Sequence, residues 1–310
     1  MNAYLVLFSG IACAGLGGEL FVRGSVGLAH WARITPALIG VTVAAFATST
    51  PELFVAISSA LEGAPEIAIG AAIGSNVVNI ALVLGVALLI SAIRSSRGRL
   101  NRDYPVALAM PFITSLLLLD NELSRTDGII ILLIFFGWLV VVAREAYRQR
   151  STDAEVHLTM RTWVIVLTSL AGLAFLVAGG QLIVVGATGI ASSLGIDAFI
   201  VGATIVALGT SAPELATAIV ASLRGYESLG LGTIIGSNIF NGTLIVGVAA
   251  IINPVRTNWH EAVLTLIFGF VSLLLIYPSA SGYIERKRGI LLLILYGFYT
   301  AMLMESLISV

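Results

Sequence analysis

Long apolar runs alternate with short polar gaps along the whole chain. A helical crossing of a bilayer takes about 20 apolar residues, and runs of that order occupy 3–30, 36–61, 67–93, 104–119, 128–147, 162–192, 198–223, 229–252, 260–277 and 289–308. The pattern predicts an all-α integral membrane protein with ten transmembrane helices. The first run extends from about Ala3 to Ala29 without a basic start, so it reads as a mature span and not as a signal peptide. The longest polar stretch, residues 149–161, divides the runs five and five. The expected organisation is a first five-helix repeat over 1–148, a linker over 149–161 and a second five-helix repeat over 162–310, with no soluble domain.

That division coincides with a duplication. Ala47-Thr48-Ser49-Thr50-Pro51-Glu52-Leu53 recurs as Gly209-Thr210-Ser211-Ala212-Pro213-Glu214-Leu215, and Gly74-Ser75-Asn76-Val77-Val78-Asn79 recurs as Gly236-Ser237-Asn238-Ile239-Phe240-Asn241. Every matched pair is 162 positions apart, as are Gly40 with Gly202, Thr42 with Thr204 and Gly85 with Gly247. Self-similarity at a fixed offset marks an internal repeat. Five spans per copy, an odd number, make the second copy enter the membrane from the opposite side, so the repeats are expected to be inverted.

Charge provides an independent check. Loops on one face carry Arg33, Arg94, Arg97, Arg99, Arg102, Arg144, Arg148, Arg150, Arg161, Arg224, Arg286, Lys287 and Arg288, whereas the opposite face carries only Arg125 and Arg256. The basic face is expected to be the cytoplasmic one, with the linker inside and both termini outside; the expected location is the plasma membrane. A miscounted span would have scrambled this partition.

Composition agrees and removes several function classes. At 58% hydrophobic and 11% charged residues, with a mean hydropathy of +1.03, the chain has too little polar surface to clothe a soluble globule. A net charge of -1 and scattered basic residues argue against nucleic-acid binding. Cys13 is the single cysteine, which excludes an intrachain disulfide and a cysteine metal site. The three histidines, His30, His157 and His260, fall at span ends or in loops and read as solvated or interfacial residues.

The duplicated segments place a Pro-Glu pair inside each copy's second span. An intramembrane carboxylate is a functional-site hypothesis by default. Pro51 and Pro213 remove a backbone N–H and break their helices, freeing the carbonyls of Ala47 and Gly209, and a freed carbonyl in hydrocarbon needs another partner such as a cation. Thr48 and Ser49 lie four and three positions before Glu52, on its helical face. Thr210, Ser211 and Glu214 repeat the arrangement. The third and eighth spans add Ser75, Asn76 and Asn79, and Ser237, Asn238 and Asn241. All these ligands are oxygen, the donor set of hard cations such as Ca2+ and Na+ and not of zinc or copper. Two acids facing one cavity repel unless neutralised. One Ca2+, several Na+ ions or two protons would each do so, which makes their binding mutually exclusive and provides the chemical basis of antiport.

On these residues the chain resembles the Ca2+/cation antiporter superfamily, and within it the Na+/Ca2+ exchanger branch, whose paired α-repeats carry Gly-Thr-Ser-x-Pro-Glu and Gly-Ser-Asn-x-x-Asn signatures. The likeness covers almost the whole chain. It implies ten helices in two inverted five-helix repeats, a mid-membrane site, alternating access and export of Ca2+ against Na+, with no prosthetic group. It also implies that Glu52 and Glu214 bind Ca2+ with carbonyls at Thr48 and Thr210, and that Na+ sites involve Ser49, Ser211, Ser75, Ser237 and the backbone carbonyls of Ala45 and Ala207. Two departures stand out. Ala47 replaces a glycine, and Asn79 and Asn241 are both neutral where some members carry an aspartate at the second position, leaving a formal site charge of -2. A proton-driven exchanger of the same fold is the alternative; its signature has an asparagine where this chain has Thr48 and Thr210.

Other features support weaker expectations. Glu19 precedes Arg23 by one helical turn and suits a structural ion pair. Glycines cluster in spans one and six (Gly15, Gly17, Gly18, Gly24 and Gly27; Gly179, Gly180, Gly186 and Gly189), as in close helix packing or a smooth face for sliding. Asp103, Asp120, Glu122, Asp127 and Asp197 are expected in loops and solvated, with Glu62 and Glu66 at the outer turn. A channel is disfavoured because an in-plane pseudo-twofold suits alternating access, and a hydrolase because no histidine or lysine is placed to activate Ser49 or Ser211. The chain is expected to work as a monomer on Ca2+ and a monovalent cation, without a protein partner.

Overall fold

The computed structural model describes residues 2–95, 97–150, 161–193, 207–256, 259–278 and 282–308. Most of the linker, His157, Asp197, Gly202 and Thr204 lie outside the described residues. The chain is helical: α1 (Ala3–Ala32), α2 (Pro36–Thr48), α3 (Thr50–Leu61), α4 (Pro65–Ile90), α5 (Arg97–Leu117), α6 (Arg125–Arg150), α7 (Thr162–Ser193), α8 (Ala207–Thr210), α9 (Ala212–Leu223), α10 (Glu227–Ile252), α11 (Trp259–Leu275) and α12 (Arg286–Ile308). Five of the described helices are long and apolar enough to cross a membrane, and the bent pair α2–α3 makes a sixth. Leu5, Phe8, Phe54, Leu133 and Phe298 all point outward. So many exposed apolar side chains suit lipid and not water.

Local chemistry sets the helix boundaries. Asn2 caps α1 by accepting the Tyr4 N–H at 3.0 Å, and Pro36, Pro51 and Pro65 sit in first turns, where proline's missing N–H costs nothing. Gly63 and Gly225, 162 positions apart, turn the chain at φ +84° and +75°, a conformation that favours glycine. Correspondence between the halves extends to whole elements: α3 and α9 have the same length and offset, as do the helical turns Pro65–Val77 and Glu227–Ile239. Hydropathy marks only the apolar part of a helix, so α5, α6 and α12 begin several residues before the runs predicted for them.

The two helices that carry the Gly-Ser-Asn motifs form the centre. The apolar part of α10 is 83% buried and that of α4 67%, against 28% in α6 and α7. Around them α1 and α7 pack antiparallel through two glycine rows, Gly10, Gly17 and Gly24 against Gly172, Gly179 and Gly186. A Cβ on Gly17 would stand 2.6 Å from the Leu176 nitrogen, and one on Gly172 2.4 Å from the Phe21 nitrogen. Lipid gives helices no hydrophobic reason to associate, so such van der Waals contact between backbones holds the pair. Of the glycines expected at this seam, Gly15 points into open space.

Short strands and polar contacts tie the loops into two groups. At one end β1 (Ile93–Arg94) pairs with β4 (Tyr283–Ile284), Arg286 Nη2 donates to the Ile90 carbonyl at 2.7 Å, and Ser91 Oγ donates to Glu227 Oε1 at 3.1 Å. At the other, β2 (Glu122–Leu123) pairs with β3 (Val255–Arg256), Glu122 bridges Arg256 at 3.1 Å, and Arg125 Nε donates to the Ile251 carbonyl at 3.0 Å. The grouping separates Arg94 and Arg286 from Arg125 and Arg256, as the charge partition does. Glu19 pairs with Arg23 at 2.6 Å, as its spacing predicts, and also with Arg224 at the end of α9 at 2.8 Å. Asp103 corrects the expectation of a solvated loop acid. It is buried in α5, held by both arms of Arg102 at 2.7 Å and by the Trp138 indole N–H at 3.0 Å, because burial requires a carboxylate to find donors.

The glycine seam predicts a contrast between two substitutions. Gly172→Leu, which drives a side chain into the α1 backbone, should destabilise the detergent-solubilised protein by at least about 1–3 kcal/mol, read as a lower thermal midpoint. Gly15→Ala should leave the midpoint unchanged or raise it.

Candidate ion-binding site

Each Pro-Glu motif occupies a break between two helices. The α2–α3 span bends by 43° at Ser49, which leaves the helical region at φ -84°, ψ 5°, and Ser211 does the same at φ -87°, ψ 7°. The break ends α2 and starts α3 within one residue of each other. Glu52 and Glu214 lie in the first turns of α3 and α9, where the partial positive charge of a helix N-terminus favours a carboxylate. The opposing helix end, with its partial negative charge, favours a cation.

The two motifs meet inside the protein. Glu52 is 3% exposed and Glu214 1%. Ser49 Oγ, from the first copy, donates to Glu214 Oε1 at 3.3 Å, and Ser237 Oγ donates to the same oxygen at 3.3 Å. Thr48 lies alongside, its hydroxyl donating to the Ala44 carbonyl at 3.1 Å and the Ala45 carbonyl at 3.3 Å. Ala45, Ser75, Ser211, Asn79 and Asn241 are all buried. Thr210 is half-buried at the end of α8, and of Ala207 only the backbone, in α8, is described.

Asn79 and Asn241 sit in wide π-helical turns, Val78–Leu84 and Phe240–Ile245, and a third such turn, Gly40–Ala44, ends just before Ala45. Such turns interrupt the regular ladder of an α-helix and recur at functional sites. Neither oxygen of Glu52, nor Glu214 Oε2, Ser211 Oγ, nor any amide atom of Asn79 and Asn241 has a hydrogen-bond partner. Buried polar atoms are ordinarily paired, so this concentration of unpaired oxygen points to a ligand that the oxygens are built to hold. The donors are hard, and among the described residues no three of His, Cys, Asp or Glu gather, as they would at a zinc-type site.

Two parts of this arrangement escape sequence reasoning. Asn76 and Asn238 offer more than amide oxygens: Asn76 Nδ2 donates to the Asn238 carbonyl at 3.3 Å and Asn238 Nδ2 to the Asn76 carbonyl at 3.1 Å, a reciprocal brace between α4 and α10. Their equal position in the two copies was its only signal. Thr217, one turn beyond Glu214, is fully buried with its hydroxyl unpaired. Its positional counterpart in the first copy is the apolar Val55, so a search restricted to duplicated residues passes over it.

Comparison with known proteins identifies the family. The sequence model described as "Sodium/calcium exchanger protein" matches residues 2–144 and 164–304. The chain belongs to the sodium/calcium exchanger family. An uncharacterised membrane protein of Methanocaldococcus jannaschii is 34% identical over 284 residues, 90% of this chain and 91% of its own length. The sodium/calcium exchanger MaX1 of Methanosarcina acetivorans is 27% identical over 335 residues, covering 94% of this chain and 96% of its own. Among solved structures, the sodium-calcium exchanger NCX_Mj, soaked with 2.5 mM Na+ and 10 mM Sr2+, superposes with a TM-score of 0.82 at 29% identity, covering 96% of this chain and 98% of its own. The resemblance carried by the four motifs is borne out, and with it an all-α membrane protein of this transporter family.

The asparagine brace gives a test within the exchanger core. Asn76→Ala and Asn238→Ala each remove a buried hydrogen bond and strand the carbonyl that received it, a loss of about 1–3 kcal/mol. Thermal midpoints in detergent should fall for both, and further in the double variant, because each substitution removes one of the two bonds and leaves the other's donor and backbone acceptor in place.

Proposed function

We propose that the protein is a secondary active antiporter that exports Ca2+ in exchange for Na+. The observation that carries this reading is the contact of Ser49, in the Pro-Glu motif of the first copy, with Glu214 of the second, with Glu52 and Glu214 both buried amid oxygens without partners. A divalent ion between two carboxylates neutralises both, and monovalent ions that take its place exclude it. Thr48 and Thr210 contribute carbonyls to the Ca2+ position. Ser49, Ser211, Ser75, Ser237, Asn79, Asn241 and the carbonyls of Ala45 and Ala207 complete the cation sites, while Pro51 and Pro213 hold the helix breaks open.

The same reading organises the chain as ten spans in two inverted five-helix repeats, 1–148 and 162–310, with 149–161 as a cytoplasmic linker and both termini outside. Inverted repeats meeting at mid-membrane supply two related access routes to one site, which suits alternating access. The transport class of the family, and the sodium/calcium exchangers MaX1 and NCX_Mj that the chain resembles, support Ca2+ and Na+ as substrates.

In proteoliposomes, an imposed Na+ gradient should drive uptake of radiolabelled Ca2+ against its own gradient. Accumulation driven only by a pH gradient would make H+ the counter-ion, and equilibration without accumulation would mean a channel. Glu52→Gln and Glu214→Gln should each abolish accumulation, since replacing one member of a buried charge pairing costs about 2–5 kcal/mol, while leaving the purified protein folded. Undiminished flux in both variants would remove these acids from the site.

A further inference from the structure

Glu52 and Glu214 are equivalent in the duplication but not in their surroundings. Glu214 Oε1 accepts from Ser49 Oγ and Ser237 Oγ, both at 3.3 Å, whereas neither oxygen of Glu52 has a hydrogen-bond partner. The difference has a counterpart one helical turn away. Phe46 stands three positions before Ser49 and Phe240 three positions after Ser237, so each ring lies a turn from one of the two donors. The two rings meet at 5.6 Å between centroids. Phe240 also packs on Phe135 at 5.3 Å and on Trp138 at 5.9 Å, the indole edge-on at 87°, all within the range at which aromatic pairs attract. The indole is fixed in turn: its N–H donates to Asp103 at 3.0 Å, and both arms of Arg102 hold that acid at 2.7 Å.

At the positions that mirror Phe46, Phe240 and Trp138 the other copy has Leu208, Val78 and Thr300, so three aromatic side chains on the Glu214 side correspond to none on the Glu52 side. We propose that this aromatic stack, anchored at Asp103, is a positioning device for the ion site: it ties the α2 and α10 segments together so that Ser49 and Ser237 present their hydroxyls to one oxygen of Glu214. Phe46, Phe240 and Trp138 act through those serines. The inference rests on the reading of these residues as the cation site. Groups that orient a metal ligand from behind change affinity by about 10–100-fold when they are replaced, because a loosely held ligand must be ordered each time an ion binds.

The test compares Ca2+ titration of the purified, detergent-solubilised protein with its thermal midpoint. Phe46→Leu and Phe240→Leu keep apolar bulk but remove a ring, and each should weaken Ca2+ binding about tenfold. Trp138→Phe, which loses the donor to Asp103, should shift affinity in the same direction. Leu123→Ala, at a fully buried position in the separate apolar cluster around β2, should lower the midpoint and leave Ca2+ binding unchanged. Unaltered affinity in both Phe46→Leu and Phe240→Leu would overturn the proposal, and so would an equal loss in Leu123→Ala, since affinity would then simply follow stability. If Phe240→Leu does not fold, Phe46→Leu decides alone, because Phe46 is 47% exposed and its ring is not part of the core. Failure of the antiport reading looks different: a wild-type protein that binds Ca2+ but accumulates none under a Na+ or a pH gradient removes the exchange and leaves the positioning role to the titration. A wild-type protein that binds no Ca2+ removes both.

Discussion

A carboxylate in hydrocarbon must be neutralised, and so must any backbone carbonyl that a helix fails to use. Both demands arise together at Ser49 and Ser211, where the helices break. The break delivers a helix N-terminus to each glutamate. Neither half satisfies the demand alone. Ser49 of the first copy reaches Glu214 of the second, so the site exists only when the two copies are assembled.

The remainder of the fold serves that assembly. The two most buried helices, α4 and α10, are braced at their centres by Asn76 and Asn238, whose amides reach across to one another's backbone. Wide turns follow directly and carry Asn79 and Asn241. Peripheral helices face outward with apolar side chains and need no polar satisfaction, which is why α1 and α7 are held by glycine contacts in place of hydrogen bonds.

Much of this was legible in the chain itself. Hydropathy marks the long apolar helices because a helix in lipid has to be apolar along its length, and the repeated Pro-Glu and Gly-Ser-Asn motifs mark the candidate site because membrane acids are rare. What stayed hidden has no hydropathy signature. The π turns differ from α-helix by one hydrogen-bond register, not by composition. Asp103 looks like a loop acid until Trp138 and Arg102 are seen to close over it. Thr217 has an apolar counterpart, and a comparison of the copies with each other discards what they do not share.

The ion bridges at Glu19 carry a consequence for symmetry. Glu19 fastens α1 to Arg224 at the foot of α9, but the positions that mirror them in the other copy are Gln181 and Glu62, which have no opposite charges to join. The duplication is therefore chemically unequal at this seam: the contact that ties α1 to the end of α9 is an ion pair on one side of the repeat and has no charged equivalent on the other.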